Sequence, residues 1–363
     1  MSSHVPRAEN VGSLLQPERL VMARRGVQDG SVPPAEFAAL EDEAVLAAIA
    51  LQESVGLDII TDGEMRRRSW ATTVHYLKGI EPRFSARSYP ASAAQAIEDA
   101  TFPTVVARVR PVAGTGVGDE YPFLAAHARR RTKYTMAAPS YHRRYWSDTM
   151  SRDAYDRCED FLWDVRDFLA SVAASLVAAG CTYIQLDAPN YGSLCDPDNR
   201  RFHSDLGHDL NAEIAFDAAL DSSVFEGLAV TSALHVCRGN QPGAAWHSSG
   251  GYGAIAEPLF SNLDVDTVLL EYDSDRAGDF SPLSAVQPDT VVVLGLLTTK
   301  RADLEHEFDL EARIAEASTV KPLGELALST QCGFSSAVNA PMTEDQQRAK
   351  LELVATVADR VWR

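Results

Sequence analysis

Nowhere in these 363 residues does an apolar run reach the length needed to span a bilayer, and the opening residues (MSSHVPRAENVGSLL) contain no apolar core of a secretory signal. A membrane is therefore not an expected partner. Positive charge is also scarce: 33 Lys and Arg stand against 51 Asp and Glu, a net charge of −18. A chain so acidic repels a nucleic-acid backbone, and the short basic runs Arg66-Arg67-Arg68 and Arg129-Arg130-Arg131 read as solvated faces. Cysteine is sparse. Cys158, Cys181, Cys195, Cys237 and Cys332 are odd in number and lack the dense spacing of a disulfide framework, so reduced thiols in a cytoplasm are expected. No repeat, low-complexity block or Pro/Ser-rich linker divides the chain. What remains is ordinary globular composition, 45% hydrophobic and 23% charged, with ample material for a large core.

Short apolar runs alternate with segments of helical period. Eight runs read as strands: residues 11–15, 57–62, 134–138, 183–187, 233–237, 268–272, 291–297 and 326–330. Most are aliphatic or β-branched throughout, as parallel strands covered on both faces require. Helical spacing marks residues 36–55, 153–179 (capped by Ser151 and stopped by Gly180), 304–317 and 344–362 (preceded by Pro341 and a Thr343 cap). Eightfold strand–helix alternation predicts an α/β fold, a closed (β/α)8 TIM barrel, with residues 1–363 as a single domain. Residues 65–132 break the rhythm. They hold one further strand-like run, 104–109, and the glycine-rich Val112–Gly118, and read as a hairpin and loop inserted after the second strand, placed to cover the site as a lid.

One run ends in unusual chemistry. In Leu234-His235-Val236-Cys237-Arg238-Gly239, the His and Cys are two residues apart on a strand and project from the same face. Imidazole and thiolate are ligands a borderline-soft cation such as zinc prefers. Two more strand ends carry donors, Glu271 in Leu270-Glu271-Tyr272 and Cys332 in Gln331-Cys332-Gly333. On a barrel these ends share the C-terminal rim, where such folds place their sites. One His, two Cys and one Glu would complete a tetrahedral zinc shell, whereas packing cysteines and a rim ion pair are the plainer alternatives.

These residues, together with Val11-Gly12-Ser13, Thr61-Asp62-Gly63-Glu64, Ala138-Pro139 and Gln185-Leu186-Asp187, resemble in order and spacing the catalytic barrel of cobalamin-independent methionine synthases and their short relatives. The resemblance runs over nearly the whole chain. It implies zinc held by His235, Cys237, Glu271 and Cys332. It also implies a homocysteine-like thiol bound at Val11, Ser13, Glu64 and Asp187, with Asp187 as the candidate catalytic group. The expected partners are a small-molecule thiol and an alkyl donor, with a homo-oligomer or a methyl-donor protein also open. The implied reaction is S-methyl transfer to an activated thiol.

The chain departs from the family's pattern at two points. Asp187-Ala188-Pro189-Asn190 stands where the family commonly reads Asp-Glu-Pro, and Leu296-Leu297-Thr298-Thr299-Lys300 lacks a histidine associated with protonating a folate leaving group. Direct use of a methylfolate is therefore not implied, and Asp187, Asp196 and His203 remain as candidate acids. The short relatives also include proteins similar to epoxyalkane:coenzyme M transferase, which open an epoxide with a thiolate. A sulfonate thiol would draw on Arg7, Arg66 to Arg68, Arg143, Arg144, Arg238 or Lys300. A metal-free decarboxylase similar to uroporphyrinogen decarboxylase and a non-catalytic thiol-binding barrel are the remaining alternatives.

Overall fold

The apolar runs converge on one parallel sheet that closes on itself. In the computed structural model, which describes residues 5–84, 101–113, 116–240, 246–335 and 342–363, eleven strands form among the described residues. They are β1 (Ala8–Glu9), β2 (Ile59–Ile60), β3 (Leu77–Phe84), β4 (Thr101–Pro111), β5 (Arg131–Thr132), β6 (Tyr134–Ala137), β7 (Tyr183–Asp187), β8 (Thr231–Val236), β9 (Thr267–Glu271), β10 (Val291–Leu297) and β11 (Leu326–Thr330). All but β3 and β4 pair in parallel, in the order β5-β2-β1-β11-β10-β9-β8-β7-β6. The two ends of that order are separated in sequence by Lys133 alone. Thr132 pairs with Ile60 on one side and Tyr134 with Ile184 on the other, so β5 and β6 are halves of one strand. The ring closes there, and the result is the expected eight-stranded barrel.

Side-chain alternation then makes two cores. Val11, Ile59, Tyr183, Ala233, Leu269, Val293 and Ala327 fill the barrel interior. Their neighbours, among them Ile60, Ile184, Leu234, Val268, Leu294 and Leu328, pack outward against the helices. Lys133 points inward, where its ammonium donates to the Glu9 carboxylate and, at 2.8 Å, to the Asn10 carbonyl. With Tyr183 Oη donating to the same carboxylate at 3.3 Å, a buried ion pair sits among the inner apolar groups.

Local signals hold at most element ends. The strands at 183–187, 291–297 and 326–330 match the expected bounds. Thr343 caps the helix Glu344–Trp362 through a reciprocal capping box with Gln346; Pro341 lies outside the described residues. Gly180, at φ +92°, ends the helix Cys158–Ala178, where Cys181 N reaches the Leu176 carbonyl.

Two expectations are corrected. The first strand is Ala8–Glu9, not residues 11–15: beyond Glu9 the backbone leaves the ladder, and the Val11 carbonyl accepts from the Gln185 side chain instead. Val11 is apolar because it fills the barrel, so burial was read there as strand pairing. Ser151 does not cap the long helix, which starts at Cys158 behind Arg157. Its hydroxyl donates to the Val105 carbonyl and accepts from Ser147 N, tying a separate short turn to the inserted hairpin.

That hairpin, β3 and β4, is antiparallel and lies between β2 and β5 in sequence, as expected for the insertion. Its register shifts at Gly79, whose φ is +94° and where a Cβ would lie 2.7 Å from the Ala107 carbonyl oxygen, so only glycine fits the bulge. The inserted excursion ends earlier than 132, because Arg131–Thr132 already belongs to the barrel wall. Of the glycine-rich stretch, residues 114 and 115 lie outside the described residues. Among the described residues no helix is long and apolar enough to cross a membrane.

Candidate metal centre and thiol pocket

At the C-terminal rim, β8 and the turn after β11 bring His235, Cys237 and Cys332 together. One nitrogen and two sulfurs, all on buried residues, lie within 4.8 Å of one another. The imidazole is oriented by its far side: Nδ1 lies 3.2 Å from the Leu269 carbonyl, an arrangement that puts the ring proton there. Nε2 is buried and has no hydrogen-bond partner, so its lone pair is available to a cation. The thiols behave as a pair. A hydrogen bond from Cys237, with His235 alongside, holds Cys332 far below the usual thiol range. The same hydrogen bond to Cys332, together with burial, pushes Cys237 far above that range. The hydrogen bond between them pushes the two thiols in opposite directions, beside a histidine that burial would discharge but that Cys332 and Asp187 keep protonated more readily than usual. A soft divalent cation replacing the thiol protons would satisfy the orphaned nitrogen and both sulfurs at once. The donor set fits zinc.

Glu271 does not join this trio. It ends β9 fully buried, and both of its oxygens are engaged elsewhere. Oε1 accepts from Arg276 and, at 3.0 Å, from Lys300 Nζ; Oε2 accepts the Arg238 backbone N–H at 2.6 Å. Burial alone would raise this carboxyl, but Lys300 and Arg276 hold it down at about 2. Asp273 shares the same two cations.

A second group of expected site residues lines the adjoining rim. Gln185 Nε2 bridges the Val11 carbonyl at 3.0 Å and Asp187 Oδ1 at 2.7 Å. Ser13 packs on the Cys332 turn: its carbonyl accepts from Phe334 N at 2.8 Å and its hydroxyl from Ser335 N at 3.2 Å. Glu64 is held in the left-handed region, at φ +58°, where a non-glycine residue is strained, and strain of this kind gathers at functional sites. Its carboxylate lies against Gly12, where a Cβ would come within 2.8 Å of Oε1. Thr135 Oγ1 donates to that oxygen at 2.8 Å, and Arg67 approaches at 3.6 Å. Burial pushes Glu64 up to about 7, Arg67 opposing and the neighbouring Asp187 carboxylate adding to the rise. Asp187 is pushed up to about 6 by burial, with His235 opposing and Cys332 adding. These cross-influences put Glu64, Asp187, His235 and Cys332 in one electrostatic neighbourhood, acidic and shielded from water.

The other candidates are spent on structure. Asp196 caps the helix Pro197–Asp205 and accepts from Ser249 N, and His203 lies in that helix with its ring against His208. Of the candidate cations, Arg66 pairs with Asp42, Arg67 with Glu120, Arg143 with Asp217 and Lys300 with Glu271 and Asp273. Arg7 donates to the Leu326 and Gly324 carbonyls, and Arg238 to those of Gly250 and Glu271. Arg144 donates to the Tyr141 hydroxyl, and Arg68 is exposed.

Sequence reasoning missed several supporting residues. Gln185 had a signal, since it lies two residues before Asp187 on the same strand face. Thr135, Arg276 and the chain Asn240–Gln331–Thr299 had none. In that chain Gln331 Nε2 donates to Asn240 Oδ1 at 2.8 Å while its Oε1 accepts from Thr299, joining the loops that carry Cys237 and Cys332.

The chain is similar to known proteins over most of its length. Residues 6–359 match the family described as cobalamin-independent synthase, catalytic domain. The chain is 33% identical over 378 residues to YxjH of Bacillus subtilis (strain 168), an uncharacterized protein, covering 98% of this chain and 95% of that one. It is 26% identical over 262 residues to a methionine synthase of Sulfurisphaera tokodaii, covering 72% and 66% of the two chains. Among solved structures, a Listeria monocytogenes protein assigned as a vitamin-B12 independent methionine synthase superposes with a TM-score of 0.76 at 26% identity, covering 98% of both chains.

Proposed function

The chain belongs to the cobalamin-independent methionine synthase catalytic-domain family, and from that premise we propose that it is a zinc-dependent thiol S-methyltransferase whose acceptor is homocysteine or a closely similar amino-acid thiol. The observation that carries the reading is the convergence of His235, Cys237 and Cys332 beside the buried carboxylates Glu64 and Asp187. A thiol free in water titrates near ~8.5 and is mostly protonated at neutral pH, and a coordinated zinc ion removes that proton. His235, Cys237 and Cys332 would hold the ion. The side chains around them do the rest.

Glu64 and Asp187 present two acceptor-only groups to an α-ammonium in a site where water competes weakly. The Gly12–Ser13 backbone N–H groups would receive the α-carboxylate. Neutralisation by the ammonium returns both carboxyls towards their ordinary ionised state, so the site is tuned to bind a cation. A sulfonate thiol meets the opposite situation: Arg7, Arg66, Arg67, Arg143, Arg238 and Lys300 already face acidic partners or carbonyls, and Glu64 and Asp187 would repel it. In the transfer itself the new C–S bond forms at the acceptor sulfur as the bond between the methyl carbon and its carrier breaks, the electron pair leaving with the carrier.

Calorimetric titration of zinc-loaded protein with homocysteine and with 2-mercaptoethanesulfonate, following proton release at neutral pH, tests this reading. The expected result is preferential homocysteine binding with release of the thiol proton. Preference for the sulfonate would replace methyl transfer with the ring-opening alternative. No binding of either thiol, together with unchanged zinc content in Cys237→Ser, would refute a zinc thiol site altogether.

A further inference from the structure

Resting on the amino-acid reading above, we propose that the buried side chains of Gln185 and Thr61 are positioning residues that aim the backbone amides of the loop after β1, and that Gln185 ties those amides to Asp187. The loop leaves the barrel ladder after Glu9, yet its carbonyls keep firm partners. Lys133 Nζ donates to the Asn10 carbonyl at 2.8 Å, Gln185 Nε2 to that of Val11 at 3.0 Å, and Thr61 Oγ1 to that of Gly12 at 2.9 Å. All three donors are buried. They come from three places in the wall: the β5–β6 junction, β7 and the residue after β2. In a planar trans peptide the N–H of the next residue points away from the carbonyl, so holding one sets the other. Gln185 therefore sets the direction of the Gly12 N–H, and Thr61 that of the Ser13 N–H. These are the two donors assigned above to an α-carboxylate.

Gln185 has a second partner. Its Nε2 also donates to Asp187 Oδ1 at 2.7 Å, which fixes the rotation of that carboxylate and so where its other oxygen faces. Both partners are acceptors, so the nitrogen end of the amide must face them. Oε1 is then left buried, with no hydrogen-bond partner among the described residues. A position held only for packing would favour an apolar side chain, because an unsatisfied buried oxygen is destabilising. The two bonds of Nε2 explain why an amide stands there. One side chain sets the spacing between an amide that receives a carboxylate and a carboxylate that receives an ammonium, the two groups an α-amino acid carries on a single carbon. Thr61 touches the carboxylate end alone. The pair thus determines head-group specificity, each residue in a different way.

The test varies the head group and keeps the thiol. Zinc-loaded wild type, Thr61→Val and Gln185→Met are titrated calorimetrically with homocysteine and three analogues. These are 3-mercaptopropylamine, which lacks the carboxylate, 4-mercaptobutyrate, which lacks the ammonium, and propane-1-thiol, which lacks both. Thr61→Val should weaken homocysteine and 4-mercaptobutyrate ~10–100-fold, the loss expected of one charge-assisted hydrogen bond, and leave the other two unchanged. Gln185→Met should weaken all three charged thiols, homocysteine most, and leave propane-1-thiol unchanged. Gln185→Asn, whose amide falls one methylene short of both partners, should give the same pattern and serves if the apolar variant does not fold. A loss shared equally by all four thiols would mark a merely structural role and overturn the proposal. So would a Thr61→Val protein that loses the amine as much as the acid, or Gln185 variants that lose only one of them. A wild type that binds all four thiols alike would instead refute the amino-acid reading itself.

Discussion

Replacing Glu64 with Gln is expected to stabilise the folded protein at pH 8 while weakening its hold on amino-acid thiols. The carboxyl titrates near 4.5 in the unfolded chain and at about 7 when folded, because burial disfavours its charge. Below pH 4.5 both states carry the proton and nothing is lost. Between 4.5 and 7 the unfolded state releases its proton first, so stability falls as pH rises. Above 7 the full penalty is present, roughly 3 kcal/mol at 1.36 kcal/mol per tenfold change in proton affinity. Gln keeps an oxygen for the Thr135 hydroxyl, 2.8 Å away in the native protein. The attraction of Arg67, 3.6 Å away, is already contained in that shifted value. The net gain at pH 8 is thus roughly 3 kcal/mol, against less than about 1 kcal/mol at pH 5, where the native side chain is already protonated. Urea unfolding of zinc-loaded wild type and Glu64→Gln at both pH values measures it. Calorimetry on the same samples should show homocysteine binding weaker by about 10-fold or more, as loss of a charge-assisted hydrogen bond implies. Equal destabilisation at both pH values would refute the reasoning, since it would mean that Glu64 is held for structure and not against its own desolvation.

Two other perturbations probe the same logic. Asp187 is pushed up to about 6 and must be ionised to receive an ammonium, so homocysteine binding should strengthen as pH rises through that value. Asp187→Asn should remove that limb of the pH profile and leave the limb due to Glu64; an unchanged profile would exclude Asp187 from the pocket. Lys133→Met should destabilise the barrel by about 3–5 kcal/mol in urea, since it strands the buried Glu9 carboxylate. The double variant Lys133→Met with Glu9→Gln should recover much of that loss. A cost below about 1 kcal/mol for the single change would show that the pair is not what closes the barrel interior.

Much of the architecture was legible because covered parallel strands need apolar residues on both faces, and that demand appears directly in runs such as Val291–Leu297 and Leu326–Thr330. The same signal misled at Val11, which is as buried as a strand residue but spends its carbonyl on a side chain. Hydrophobicity reports burial, and only backbone pairing reports a strand. Helix ends were readable where the cap is local, as at Thr343 and Gly180. The start at Cys158 was not, because Ser151 is drawn away by the hairpin strand 46 residues earlier in sequence.

The candidate centre divides in the same way. His235 and Cys237 could be paired from sequence, since strand geometry sends residues two apart to one face. Cys332 and Glu271 could be assigned to the same rim from the strand order expected of a barrel. Which of them converge is a tertiary matter. His235, Cys237 and Cys332 come together because the ring of strands brings β8 and the turn after β11 to one mouth. Glu271, from the strand between β8 and β10, turns to Lys300 and Arg276, whose charges lie 29 and 5 residues away along the chain and have no spacing rule to announce them. By itself the sequence determined the fold class, the donor types and the rim they occupy, because periodicity and residue chemistry act locally. The tertiary structure alone decided how fully each buried carboxylate is neutralised, Glu271 between Lys300 and Arg276 and Glu64 by Arg67 at 3.6 Å, because electrostatic pairing depends on distance in space.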